Sequence, residues 1–131
     1  MRLKNKVSII TGAASGIGKE SVLKFLDEGS KVVAADLNSE ALNNLKNEIG
    51  HSDEVFETFE CDVSSEEAIK DLVGFTIKKF NKLDVIFNNA GIGGAFGPIT
   101  EINLNDWQRT TSILLDSVFL GIKYAAKEMQ R

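Results

Sequence analysis

Apolar residues recur along the chain with two alternating spacings, one typical of buried strands and one typical of amphipathic helices. Short, mostly apolar runs predict four strands, at residues 7–10, 31–36, 55–61 and 83–87. Apolar residues three or four apart predict four helices, at residues 16–28, 39–49, 64–80 and from about 105 to the end. A strand followed by a helix, repeated four times, predicts an α/β fold with a parallel sheet.

Residues that favour helix ends support these boundaries. Ser39 is expected to cap the second helix and Gly50 to end it. Either Ser64 or Ser65 opens the third helix, and Gly29 stops the first. No linker, repeat or low-complexity segment divides the chain, so we expect a single domain.

Composition and charge narrow the class of protein. The 131 residues are 43% hydrophobic and 26% charged, which suits one globular domain over residues 1–131. Fifteen basic against 19 acidic residues give a net charge of −4 without a basic block, which argues against a nucleic-acid partner. No apolar run is long enough to span a membrane, and the start lacks a signal-peptide pattern. One cysteine cannot form an internal disulfide, so we expect a reducing, cytoplasmic compartment. The lack of a long apolar run leads us to expect no membrane partner.

The most informative segment, TGAASGIG at residues 11–18, lies where the first strand leads into the first helix. Gly12 permits a tight turn, Gly16 lets the backbone approach a pyrophosphate, and Gly18 lets the helix pack close to the sheet. The helix N-terminus offers N–H groups and a partial positive charge to phosphates. The segment therefore predicts nucleotide binding, with an ordinary tight turn as the alternative. The expected cofactor-binding residues here are Gly12, Ser15, Gly16, Ile17 and Gly18.

Asp36 ends the predicted second strand, where dinucleotide-binding folds place a carboxylate that accepts hydrogen bonds from the adenosine ribose. Its charge would repel a 2′-phosphate, and neither Ser15 nor Leu37 supplies a cation to bind one. We therefore expect NAD rather than NADP, with Asp36 and Leu37 among the cofactor-binding residues. The alternative is that Asp36 only starts a turn or caps the next helix.

Several motifs together resemble the cofactor half of the short-chain dehydrogenase/reductase family, and the resemblance covers essentially the whole chain. They are TGxxxGIG at residues 11–18, Asp36, Asp62-Val63, NNAG at residues 88–91 and the helix Trp107–Lys123. The resemblance implies a Rossmann-type doubly wound parallel sheet, with the four strands here in the order 3-2-1-4. It also implies an NAD-dependent oxidoreductase that transfers hydride between nicotinamide and an alcohol or ketone.

The same resemblance implies roles for two further motifs. Asp62 would accept the exocyclic amine of adenine, and Val63 would lie beside the ring. The motif that would line the adenosine and steady the central strands is Asn88, Asn89, Ala90 and Gly91. The alternative for the asparagine pair is a polar strand end that satisfies its own loop.

The chain departs from the family in its catalytic residues. Family members use a Ser and a Tyr-x-x-x-Lys from the half of the fold that follows this one, whereas this sequence ends at Arg131. Its only tyrosine, Tyr124, is followed by Lys127 three residues on rather than four. We therefore expect Tyr124 to be a surface or packing residue and no catalytic residue to lie in this chain. The domain would stop before the catalytic segment and would bind NAD with little catalysis.

The second departure is at Leu114, where the family usually has an Asn that opens the helix and helps hold a water of the proton relay. Leucine offers no donor or acceptor. This places the relay in doubt unless another hydrogen-bonding partner compensates.

Other polar residues predict no metal site. His51 has no Cys or His partner at ligand spacing. Cys61 is expected to be a small buried hydrophobe rather than a reactive thiol. A solvated strand face, rather than a cation site, is predicted for the acidic residues Asp53, Glu54, Glu57 and Glu60.

In the order 3-2-1-4 the fourth strand becomes a sheet edge, and the last helix carries an apolar stripe. We expect aggregation or a homo-oligomer formed through that helix. The leading hypothesis is the cofactor half of an oxidoreductase for a small-molecule substrate. The alternatives are an inactive nucleotide-binding or interaction module that pairs with a longer relative, and a fragment without a role of its own.

Overall fold

Four parallel strands form one sheet in the computed structural model, which describes residues 1–131. The strands are β1 (Val7–Thr11), β2 (Lys31–Asp36), β3 (Phe56–Glu60) and β4 (Val85–Phe87). Their order is β3-β2-β1-β4, and each neighbouring pair is parallel. The predicted Rossmann-type sheet of order 3-2-1-4 is therefore confirmed, with a fourth strand shorter than the sequence pattern indicates.

Five α-helices accompany the sheet. They are α1 (Gly16–Asp27), α2 (Ser39–Ile49), α3 (Glu66–Phe80), α4 (Leu104–Thr111) and α5 (Ser117–Met129). The expected cap of α2 is wrong: Asn38 accepts the N–H of Ala41 at 3.0 Å, and Ser39 is already helical. Of the two candidate residues for opening α3, it is Ser65 that accepts the N–H of Ala68, at 3.2 Å. None of the helices combines the length and the apolar composition that a membrane span requires.

Alternate residues of β1 and β2 pack on opposite faces of the sheet, so both strands are buried on two sides. One face carries α3 and α5; its core includes Ile9, Val33, Leu72 and Leu120. The other face carries α1 and α2; its core includes Ile10, Val32, Val22 and Leu45. The helices thus cover both faces and leave the carboxyl ends of the strands accessible.

The single long helix predicted from about residue 105 is interrupted by a π-helical turn at Ser112–Asp116. The backbone N–H of Ser117 donates to the carbonyl of Ser112, one residue further back than in an α-helix. The carbonyl of Ile113, which this N–H would otherwise reach, instead accepts the hydroxyl of Ser117 at 2.5 Å. Because Ser117 is only 5% exposed, its hydroxyl replaces a hydrogen bond that water could not easily supply.

We expect Ser117→Ala to lower the free energy of unfolding by about 1–3 kcal/mol, because the part-buried carbonyl of Ile113 loses its side-chain donor. Urea denaturation followed by circular dichroism measures this. The matched control is Ser112→Ala, which removes an exposed hydroxyl bonded to the carbonyl of Arg109 and should cost less than about 0.5 kcal/mol. Equal losses in the two variants would contradict the role given to Ser117.

Candidate functional site

A cleft of about 600 Å³ opens at the carboxyl ends of the strands. All of the expected cofactor-binding residues line it except Gly16, Gly18 and Asn88. The cleft lies beside β1, whose neighbours β2 and β4 are connected to helices on opposite faces of the sheet. Such a topological switch point is where open α/β sheets bind ligands.

The glycine-rich loop after β1 depends on close backbone packing. A Cβ at Gly18 would collide with the carbonyl oxygen of Gly12, so α1 approaches the loop more closely than any side chain allows. Gly12 has a φ of +62°, and a Cβ there would lie 2.8 Å from the Cα of Ala90. In contrast, a Cβ at Gly16 would meet no atom within 4 Å. The loop is therefore tightly held at its start and open at the first residue of α1.

Asn89 connects this loop to the end of β4. Its side-chain amide donates to the carbonyls of Thr11 at 3.1 Å and Gly12 at 3.4 Å. The hydroxyl of Thr11 accepts the N–H of Ala90 at 3.0 Å. The Asn89 side chain therefore satisfies carbonyls at the end of β1 and just after it, rather than polar groups of its own loop. This bonding holds the segments after β1 and β4 together.

Asn88 faces away from the cleft. It lies against α5, where a Cβ at Gly121 would collide with the side-chain oxygen of Asn88. Its position therefore suits packing between β4 and α5 and does not bring it to the cleft with Asn89, Ala90 and Gly91.

The carboxylate of Asp36 borders the cleft and is already held by the backbone. Oδ2 accepts the N–H of Ala14 at 3.0 Å, and Oδ1 accepts the N–H of Asn38 at 3.0 Å. The bond from Asn38 starts a turn, which was the alternative role considered for Asp36 from the sequence. Beside it, the apolar side chain of Leu37 is 65% exposed at the cleft.

Asp62 and Val63 form another part of the wall, after β3. Oδ1 of Asp62 accepts both the N–H of Ser64 at 3.0 Å and its hydroxyl at 2.6 Å. Cys61 is 2% exposed, and burial, with a smaller effect of the Asp62 charge, raises the pKa of its thiol to about 12. The prediction of a small buried residue rather than a reactive thiol is confirmed.

Five residues that line the cleft were not predicted from the sequence as site residues: Cys61, Ile92, Gly93, Arg109 and Ile113. Arg109 of α4 and Ile113 of the π-helical turn lie four residues apart and both line the cleft. Arg109 is the one lysine or arginine that does so. Their helical spacing was visible in the sequence, but nothing local indicated that this helix passes beside the cleft.

Leu114 lies in the π-helical turn, and its Cδ2 would be 3.2 Å from a Cβ at Gly91. The α-helical hydrogen-bond pattern is therefore interrupted at Leu114, although the leucine side chain offers no hydrogen bond. The compensating partner that the sequence could not identify at the opening is the hydroxyl of Ser117.

Tyr124 lies outside the cleft, on the surface where α5 meets α3. Its hydroxyl donates to Oε1 of Glu66 at 2.8 Å, and Lys123 Nζ lies 2.6 Å from the same oxygen. The hydrogen bond to Glu66 raises the pKa of Tyr124, the opposite of what a proton-abstracting tyrosine needs. This position agrees with the expected surface or packing role.

Two of the four acidic residues around β3, Asp53 and Glu57, form ion pairs, and the four form no metal-ligating cluster. Glu57 lies 3.4 Å from Lys46 and 3.2 Å from Lys79, and Asp53 lies 3.2 Å from Lys46. The solvated face expected here is thus partly a network that links α2, β3 and α3.

Comparisons with known proteins agree with this geometry. The family model described as short chain dehydrogenase matches residues 6–131. The chain is 42% identical to short-chain dehydrogenase reductase 3b of Arabidopsis thaliana over 98% of its own length and 49% of the relative. It is 38% identical to 3beta-hydroxysteroid dehydrogenase 2 of Eggerthella lenta, over 95% and 48% of the two lengths. The chain thus spans about half the length of these curated relatives.

Solved structures give the same result. A glucose/ribitol dehydrogenase of the family from Brucella melitensis has a TM-score of 0.92 at 32% identity, covering 98% of this chain and 54% of the other. An NAD+-bound xylitol dehydrogenase has a TM-score of 0.89 at 32% identity, covering 98% and 50%. The chain therefore belongs to the short-chain dehydrogenase/reductase family of oxidoreductases, which use nicotinamide cofactors.

Proposed function

We propose that this chain is the NAD-binding part of a short-chain dehydrogenase that acts on a small alcohol or ketone. The observation that carries the proposal is the Asp36 carboxylate, which borders the same cleft as the glycine-rich loop. When bound, NAD supplies the carbon that accepts or donates the hydride. The residues of this chain would bind and orient that cofactor.

Several features of the cleft suit the separate parts of a dinucleotide. The α1 N-terminus follows the glycine-rich loop, and the space beside Gly16 is open, as the approach of a pyrophosphate requires. We assign the pyrophosphate to residues 12–18, the ribose to Asp36 and Leu37, and the adenine to Asp62 and Val63. Residues 89–91 would form the adenosine wall. Asn88 would act only by supporting β4.

The charges around Asp36 favour NAD over NADP. A 2′-phosphate would meet the carboxylate, and the exposed neighbour Leu37 has no charge to offset the repulsion. Arg109 is the one cation lining the cleft, and it comes from α4 rather than from the segment after β2 that carries Asp36. The xylitol dehydrogenase that resembles this chain is NAD+-bound.

We further propose that the chain by itself binds NAD without appreciable turnover. Tyr124, its only tyrosine, is bonded to Glu66 outside the cleft. The proton-transferring groups would have to come from sequence that this chain does not contain. Binding without catalysis is also what an inactive nucleotide-binding module would show, so this alternative is retained.

The last helix supports a proposed homo-oligomer. Five large apolar residues on α4, the π-helical turn and α5 are more than half exposed: Leu104, Trp107, Leu115, Phe119 and Ile122. The last three follow one another at spacings of four and three, which places them on one helical face. A second copy that presents the same face would bury this surface by two-fold symmetry.

NADH should bind this chain more tightly than NADPH, as measured by cofactor fluorescence titration. Asp36→Ala should weaken NADH binding by about 1–3 kcal/mol through loss of a charged hydrogen bond, and should narrow the NADH/NADPH affinity ratio. The matched control is Glu40→Ala, an exposed carboxylate of α2 that does not line the cleft, which should leave both affinities unchanged. Equal affinities in the unmodified chain would contradict the NAD assignment, and no binding at millimolar cofactor would contradict the proposed function.

Sedimentation velocity should show a dimer or larger oligomer whose population increases with concentration. Phe119→Glu, which places a charge in the exposed stripe of α5, should shift the population towards monomer. Phe96→Glu is the control, because Phe96 is 90% exposed but lies outside the helix. A monodisperse monomer at all concentrations, or equal shifts in both variants, would contradict assembly through α5.

A further inference from the structure

Asp36 is bonded to the glycine-rich loop as well as bordering the cleft. Its Oδ2 accepts the N–H of Ala14 at 3.0 Å, next to a backbone bond from the N–H of Ala13 to the carbonyl of Ala35 at 3.0 Å. The loop after β1 is therefore attached to the end of β2 by one backbone bond and one side chain. The side-chain bond can be removed by substituting Asp36 without changing the backbone of the loop.

The two halves of the loop are held from different strands. Asn89, after β4, fixes its first half through the carbonyls of Thr11 and Gly12. Asp36, at the end of β2, fixes its second half through Ala14. Each half thus depends on a side chain from a different neighbour of β1.

The bond between Ala14 and Asp36 is the last side-chain anchor before α1. Ser15 occupies the N-cap position of α1, but its side chain makes no capping hydrogen bond. A Cβ at the next residue, Gly16, would meet no atom within 4 Å. Two contacts therefore lie next to the free N–H groups of the helix: the packing of Gly18 against Gly12 and the bond from Ala14 to Asp36.

The Asp36 carboxylate has enough lone-pair positions both to hold the loop and to accept hydrogen bonds from a ligand. A carboxylate offers about four lone-pair positions. Asp36 uses one on Oδ2 for Ala14 and one on Oδ1 for Asn38. The remaining positions are free to accept hydroxyls from a ligand in the cleft.

We propose that Asp36 is a positioning residue for the glycine-rich loop in addition to a ribose acceptor. By fixing the Ala14 N–H, it orients the start of α1, where phosphates bind. Its removal therefore weakens binding even of a nucleotide without ribose hydroxyls. A change of cofactor preference made at Asp36 alone also loosens the loop unless the new residue provides an acceptor for Ala14.

The binding test, which rests on the proposed function, compares ADP with 2′,3′-dideoxy-ADP by isothermal titration calorimetry. Asp36→Ala should lower the affinity for both ligands, and for the dideoxy ligand by about fivefold or more. Asp36→Asn, which keeps one acceptor oxygen, should cause a smaller loss. An unchanged affinity for the dideoxy ligand in Asp36→Ala would show that Asp36 acts on the ribose alone and would overturn the proposal.

A second measurement needs no nucleotide. Hydrogen exchange followed by NMR should show that the Ala14 amide exchanges about tenfold faster in Asp36→Ala, as expected for loss of about 1.4 kcal/mol of protection. The matched control is Asp62→Ala, which removes a carboxylate from the same cleft without a contact to the loop. Comparison with this control therefore separates the loss of the hydrogen bond to Ala14 from the general effect of removing a negative charge at the cleft.

Equal exchange rates at Ala14 in these two variants would overturn the proposal. If Asp36→Ala does not fold, the comparison is made with Asp36→Asn, for which intermediate exchange is expected and an unchanged rate would count against the proposal. If the unmodified chain binds neither ADP nor its dideoxy analogue, the proposed function fails, while the exchange result still decides the role of Asp36 in the loop.

Discussion

The contact between Gly18 and the carbonyl of Gly12 determines how α1 sits on the sheet. No side chain fits between them, so the helix begins directly at the carboxyl end of β1. The same space also admits Asn89, whose amide would lie 2.8 Å from a Cβ at Gly18. The loop, the helix N-terminus and the end of β4 therefore meet at one point. The cleft and its proposed ligand depend on this packing, because the end of α1 that is proposed to bind phosphate would move with it.

Much of the fold could be predicted from the sequence because local and long-range signals agree. Continuous apolar runs such as Lys31–Asp36 suit strands buried on both faces, and the helices between them carry one-sided apolar patterns. The glycine spacing also indicated close helix packing, which the structure shows at Gly18. The strand order itself came from the resemblance to a family, because periodicity alone does not determine which strands are neighbours.

The remaining differences arise where the sequence offers alternatives that it does not rank, or where a long-range placement decides. Asn38 rather than Ser39 caps α2, and both residue types are good caps, so the sequence could not separate them. The π-helical turn depends on the Ser117 hydroxyl meeting the carbonyl of Ile113, which no periodic pattern reveals. Arg109 reaches the cleft only because the loop after β4 carries α4 there. The first two differences are thus choices among local hydrogen bonds, and only the position of Arg109 depends on long-range packing.

The proposed NAD site lies at the carboxyl ends of the strands. The most direct test is a nitrogen-15 NMR titration of the chain with NADH, in which the shift of each amide reports where the ligand lies. Saturable shifts are expected, concentrated at residues 12–18, Asp36 to Leu37, Asp62 to Val63 and residues 89–91. Shifts concentrated between α3 and α5, or none at saturating NADH, would contradict the proposed site.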